Sequence, residues 1–105
     1  MRADHVLTAL RAGDPQLDLM LDAIAAGLVT LGRPNRDALD LVTRYFARWS
    51  EGDLELVFLE DPWAWAGKLH FWQLEDPLGY SAWRRTELEH PPPELEVLRL
   101  RVRHF

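Results

Sequence analysis

The chain has 105 residues, of which 48% are hydrophobic and 28% charged, and its formal net charge at pH 7 is −5. This length suits one domain with one hydrophobic core. The negative net charge argues against a protein whose main role is to bind a nucleic-acid phosphate backbone. The absence of cysteine excludes a disulfide framework, thiolate zinc sites and cysteine nucleophiles.

The hydrophobic pattern changes its period near Gly52. This change divides the single domain into a helical half, residues 1–52, and a strand half, residues 53–105. We therefore predict an α+β fold, in which three N-terminal helices pack on one face of a four-stranded antiparallel β-meander.

Glycine, aspartate and proline residues in the first half predict where its helices begin and end. Gly13 ends the first helix, and Asp14 and Pro15 then open the second as its cap and its first residue. Gly32 and Pro34 end this second helix. Its apolar stripe, at three- and four-residue steps, consists of Leu17, Met20, Leu21, Ile24, Leu28 and Leu31.

The third helix follows a similar pattern. Asn35 is its predicted cap, and Gly52 closes it. Asp40 and Arg44 stand four residues apart on its polar side, a spacing typical of a modest ion pair. Its apolar seam contains Leu39, Val42, Phe46 and Trp49, and is widened by Leu41 and Tyr45.

Four strand-like runs fill the second half of the chain: residues 54–60, 68–75, 80–88 and 95–104. The third run also fits a short helix that begins at Ser81. The tetrapeptide LEDP ends each of the first two runs, and we interpret it as the same turn used twice.

The last predicted strand alternates apolar residues with arginines, and such alternation places the arginines on one face of a sheet. The second predicted strand has its basic and aromatic residues on the same side, and two tryptophans of the preceding loop adjoin them. We expect a basic, aromatic binding face made of Arg99, Arg101, Arg103, Lys68, His70, Trp72, Trp63 and Trp65.

Several functions fit this face. Large exposed aromatic residues are typical of protein interfaces, so we expect a small non-catalytic interaction or regulatory module that binds a protein partner or itself as a homodimer, through the sheet face or the terminal edge strand. A nucleic-acid-binding face is the alternative, which the net charge of −5 disfavours. A small-ligand pocket lined by Trp49, Phe46 and Phe58 is a second alternative.

The same residues also fit an interpretation in which they have no binding role. In this interpretation, the arginines form ion pairs with Glu55 and Glu87 on a solvated surface. Trp63 and Trp65 then fold back over the edge of the core, and Trp72 packs on arginine stems.

The chemistry-bearing residues do not form a catalytic motif. The acid pairs at residues 60–61 and 75–76 precede prolines, where acids serve turn geometry. The four histidines lack metal-ligand spacing, and neither serine lies in a nucleophile elbow. We therefore predict no enzymatic activity, no metal and no cofactor.

The sequence also suggests a compartment and a source. Asp4 and His5 stand where a signal peptide needs an apolar core. The longest apolar run, residues 19–32, contains Asp22 and is too short to span a bilayer. We expect a cytoplasmic protein without a membrane partner. The preference for arginine over lysine and the scarcity of asparagine and glutamine suit a thermophilic bacterium with a GC-rich genome.

Overall fold

The computed structural model describes residues 15–103, and every regular element in that range is a helix. The elements are α1 (Pro15–Thr30), α2 (Asn35–Phe46), α3 (Glu51–Leu54), a 3₁₀ helix (Glu55–Leu59), α4 (Pro62–Gln73), α5 (Pro77–Glu87) and α6 (Pro93–Arg103). The predicted α+β fold with a four-stranded meander is therefore wrong. The predicted first helix, with Gly13 and Asp14, lies outside the described residues.

Helix α1 is the central element of the fold. It packs against α2, α4 and α6, while α5 packs on α4. The predicted apolar stripe is confirmed, since its five leading residues are buried: Leu17, Met20, Leu21, Ile24 and Leu28. Buried alanines fill the positions between them, so α1 is apolar around most of its circumference, as a central helix must be.

The predicted end of α1 is also confirmed. Gly32 has a φ angle of 104°, a left-handed conformation that glycine adopts without steric cost. The amide of Arg33 donates to the carbonyl oxygen of Leu28 at 3.1 Å, which satisfies one of the free carbonyls at the helix end.

Helix α2 agrees with the prediction in its core face and its ion pair. Val42 and Phe46 are buried, and Arg44 Nε lies 2.9 Å from Asp40 Oδ2. The predicted cap is wrong, because Asn35 is the first residue of α2 and Pro34 occupies the cap position. The helix also ends at Phe46, earlier than the predicted end at Gly52.

The two LEDP segments begin helices. The side chain of Asp61 accepts a hydrogen bond from the backbone amide of Trp63 at 2.8 Å, and Asp76 accepts one from Gly79 at 2.9 Å. A proline follows each aspartate within the first helical turn, where its missing N–H has no intrahelical partner in any case. The repeated turn is therefore a repeated N-cap, and it opens α4 and α5.

The last predicted strand is helix α6, and its apolar residues have helical spacing. Leu95 and Val102 are buried and Leu98 is partly buried against the core, at steps of three and four residues. Leu100, which alternates with the arginines together with Leu98 and Val102, is about half exposed. The arginines therefore do not share the face of a sheet.

Two glycine positions allow α4 to contact its neighbours closely. A Cβ atom on Gly27 would lie 2.6 Å from the Cβ of Ala66, so glycine permits α1 and α4 to approach each other. The ring of Trp83 from α5 covers Gly67 in the same way, and any larger residue there would displace it.

Candidate functional site

An open groove with a volume of about 820 Å³ runs along α4 from Trp65 to the C-terminal end of the helix. Trp65, Lys68, Leu69 and Trp72 line it at three- and four-residue steps, and thus form one face of α4. Helix α2 and the residues after it provide one side. The corner between α4 and α5 provides the other. We call this surface the α4 groove.

Aromatic rings connect the α4 groove to the core. The ring centroids of Trp72 and Tyr45 are 5.4 Å apart, and those of Tyr45 and Trp65 are 6.2 Å apart. Trp65 in turn meets the buried ring of Phe46 edge-on at 5.4 Å. Trp72 is 56% exposed, so a large apolar ring faces solvent while its neighbours fix it in place.

Most charged side chains of the groove already have partners. Lys68 forms an ion pair with Glu60, and its Nζ atom lies 5.0 Å from the ring centroid of Trp65. Arg44 is paired with Asp40, as described above, and Asp76 caps α5.

Two groove charges remain without a partner within residues 15–103. They are Arg48, just after α2, and Glu75, at the corner between α4 and α5. Both side chains are exposed to solvent. The groove therefore offers one free cation on its α2 side and one free carboxylate on its α5 side.

Glu75 also has an unusual backbone conformation. Its φ angle is 55°, which makes it the sole non-glycine residue with positive φ in the described part of the chain. Its amide donates to Trp72 O at 3.0 Å, and the Asp76 amide donates to Phe71 O at 2.9 Å, so Glu75 closes the end of α4. Glycine is the usual residue at this position, and glutamate costs about 1 kcal/mol by comparison.

The Tyr80 hydroxyl is a buried polar atom at the α5 side of the groove. It has no hydrogen-bond partner among the described residues. Its ring lies against Trp83, with 6.1 Å between the ring centroids. A buried hydroxyl without a hydrogen-bond partner lowers stability by about 1–3 kcal/mol. The hydrogen-bonding capacity of this part of the groove is therefore not fully used.

The eight predicted binding residues do not lie together. Trp65, Lys68 and Trp72 line the α4 groove. Trp63 and Trp65 are buried, and their indole N–H groups donate to backbone carbonyl oxygens, Trp63 to Glu87 at 2.7 Å and Trp65 to Val57 at 2.9 Å. The expected exposed tryptophan loop is therefore wrong, and the alternative of burial is correct, because both residues belong to helix α4. Trp72 is exposed, as predicted.

The three C-terminal arginines have different surroundings. Arg99 is partly buried and forms an ion pair with Asp61, the cap of α4, and its Nη1 atom lies 3.1 Å from Glu96. Arg101 and Arg103 are exposed. Arg99 thus joins α6 to the start of α4, a structural role for one member of the predicted basic face.

His70 lies outside the groove and joins α4 to the loop after α1. Arg33 Nε donates to His70 Nδ1 at 3.1 Å, and Arg33 Nη2 donates to the His70 carbonyl oxygen at 3.3 Å. Burial, and then the positive charge of Arg33, lower the pKa of His70 from its usual value of 6.5. The imidazole is therefore neutral at pH 7 and accepts the hydrogen bond.

No group of three or more histidine, aspartate and glutamate side chains among residues 15–103 is arranged to hold a metal ion. None of the described helices has the length and apolar character needed to cross a bilayer.

Tyr45, Arg48, Glu75 and Tyr80 are among the groove residues that sequence reasoning missed. Tyr45 was assigned to the core seam, and Glu75 to a hairpin turn. The signal that places Glu75 and Tyr80 is the second LEDP segment, once it is interpreted as a helix start. Arg48 had no signal of its own, because an exposed arginine after a helix is ordinary.

Neither a protein-family model, nor a curated protein, nor a solved structure matches this chain at a significant level. The chain's own residues are therefore the basis for assigning a function.

Proposed function

We propose that this protein is a small cytoplasmic, non-catalytic interaction module that binds a protein segment in the α4 groove. The observation that carries the proposal is the exposed ring of Trp72, held in place by Tyr45 at the mouth of the groove. Tryptophan is among the residues most enriched at energetic hot spots of protein interfaces. A ring fixed before binding loses little conformational entropy on association.

The apolar surface extends beyond the groove itself. Leu74 is 57% exposed and Leu78 is 81% exposed, and both lie at the corner between α4 and α5. We call these two residues the corner rim. An exposed apolar surface bordered by charged residues is typical of a protein-binding site, and its extent favours a protein segment over a compact ligand.

A small-ligand site is a second candidate, which the groove volume of about 820 Å³ favours. This volume lies in the range of small-molecule pockets, although such pockets usually enclose most of their ligand. The pocket predicted from the sequence is different, because Phe46 is fully buried in the core.

Nucleic acid suits the groove less well. Lys68 and Arg44 are already paired with carboxylates, and Glu75 and Asp76 line the α5 side. A phosphate backbone would face these acids in addition to the net charge of −5.

Site-specific photo-crosslinking in living cells tests the proposal. A photoreactive phenylalanine replaces Leu78 in the corner rim, and a matched control replaces Leu59, which is 80% exposed and lies in the 3₁₀ helix. We expect a discrete crosslinked protein at position 78 but not at 59, lost when Trp72→Ala is added. No protein crosslink at position 78, or equal crosslinking at both positions, would overturn the proposal.

A further inference from the structure

We infer that the protein segment bound in the α4 groove is the same face of a second copy of this chain, in a two-fold symmetric dimer. This inference rests on the function proposed above and specifies its partner. In a two-fold interface, a contact between residues i and j occurs twice, because j of the first copy also meets i of the second.

The two free charges of the groove have the arrangement that such symmetry requires. Arg48 lies on the α2 side and Glu75 on the α5 side, and no ion pair joins them within one copy. A two-fold axis across the groove brings Arg48 of each copy to Glu75 of the other. Both charges are then paired, and each pair is made twice.

The apolar residues have the same self-complementary arrangement. The corner rim, Leu74 and Leu78, is exposed to solvent, and its residues adjoin the groove-lining Gln73, Glu75 and Pro77 in the chain. In the dimer that we infer, the rim of each copy packs against the groove and the Trp72 ring of the other. The apolar rim and ring then leave water together, which is the main favourable contribution in most protein associations.

The charge balance argues for a second copy over an acidic partner segment. An acidic segment needs a basic wall, but Arg44 and Lys68 are paired with Asp40 and Glu60. The Asp76 carboxylate is held at the N-terminus of α5, so within residues 15–103 the groove charges without any partner are one cation and one anion, and a complementary surface must carry one of each. Two chains of net charge −5 repel each other at most orientations, and the groove face presents one free charge of each sign.

A charge exchange between two variants tests this arrangement. Arg48→Glu makes both unpartnered charges of the groove acidic, and Glu75→Arg makes both of them basic, so neither variant should pair with itself. A mixture of the two variants restores both oppositely charged contacts. Arg101→Glu on α6 is the matched control, because Arg101 is exposed and does not line the groove.

Sedimentation equilibrium over a range of protein concentrations supplies the measurement. The wild type and Arg101→Glu should approach twice the chain mass of 12.2 kDa. We expect each groove variant alone to have a dimer Kd at least tenfold higher, and the equimolar mixture to recover most of the affinity. Circular dichroism establishes that every variant remains folded.

Each result has a definite consequence. A monomeric wild type, an undisturbed dimer in either groove variant, or a mixture that fails to associate would overturn the dimer. If position 78 nevertheless crosslinks to a different protein in cells, identified by mass spectrometry, the interaction function stands and only the identity of the partner changes. If position 78 crosslinks to nothing, the interaction function itself fails.

Discussion

The N-terminal half of α4, residues 62–67, and its C-terminal half, residues 68–73, both carry tryptophan but differ in the burial of these rings and in the partners of the polar groups around them. In the first half, both indole N–H groups donate to backbone carbonyls, and the cap Asp61 is paired with Arg99. In the second half, Trp72 is exposed, and the groove beside it contains Arg48 and Glu75, which have no charged partner among residues 15–103.

This difference separates structural residues from candidate binding residues within one helix. Buried groups with good partners stabilise the fold, and their loss leaves a cavity or an unpaired polar atom. Exposed groups without partners contribute little to the fold and remain available to another molecule.

Trp63 and Trp72 should differ strongly in their contribution to the free energy of unfolding. Trp63→Ala removes a buried ring and should lower the free energy of unfolding by about 3–5 kcal/mol. Trp72→Ala removes an exposed ring and should lower it by about 1 kcal/mol or less. Urea denaturation at low protein concentration, where association does not contribute, measures both values. Equal losses would contradict the division of α4 into two halves.

The C-terminal arginines give the second contrast. Arg99→Ala leaves Asp61 partly buried without its cation, and should cost about 1–3 kcal/mol of stability. Arg101→Ala, in the same helix but exposed, should change stability by less than about 0.5 kcal/mol. Thermal and urea unfolding compare the two variants. An equal loss of stability in Arg99→Ala and Arg101→Ala would show that the ion pair to Asp61 does not account for the effect.

Glu75 should show opposite effects on stability and on binding. Glu75→Gly relieves the positive φ of 55° and should raise stability by about 1 kcal/mol. The same change removes the free carboxylate of the groove and should weaken the dimer. Glu75→Ala is the control, since it removes the charge but keeps the strained backbone, and only its dimer affinity should fall. A Glu75→Gly variant no more stable than Glu75→Ala would contradict this account of the strain.

His70 should make stability depend on pH in the mildly acidic range. Its pKa is lowered in the folded state, so below pH 6.5 the unfolded chain binds a proton that the folded protein does not. The free energy of unfolding should therefore fall as the pH drops through 6.5 towards the folded-state pKa. His70→Gln keeps an acceptor for Arg33 and should lack this component of the slope. Parallel pH profiles for the two proteins would show that His70 does not contribute.

The sequence was informative for α1 and α2 and misleading from α4 onwards, for a physical reason. Helix α1 has a clear apolar stripe between defined ends. Residues 62–67 of α4 are buried on every side, so no amphipathic period exists there to be recognised. In α6, Leu98, Leu100 and Val102 alternate with arginines as in a strand. The core contacts are instead made by Leu95, Leu98 and Val102, at steps of three and four residues.

The helix starts were nevertheless readable from the sequence. An aspartate followed by proline predicted a helix start at Pro15, and the same pair at Asp61 and Asp76 was assigned to turns because strands were expected around it. The groove could not be predicted from the sequence in this way. It depends on the packing of α2 against α4 through Tyr45 and Trp72, a long-range contact that local patterns do not specify.

Hydroxyl-radical footprinting of the unmodified protein, at low and at high protein concentration, shows which side chains association covers. We predict that oxidation of Trp72, Leu74 and Leu78 falls as the concentration rises, while that of the exposed Leu59 and Leu100 stays constant. Constant oxidation of Trp72 together with protection of Leu59 or Leu100 would place the interaction surface elsewhere and contradict the assignment of the α4 groove.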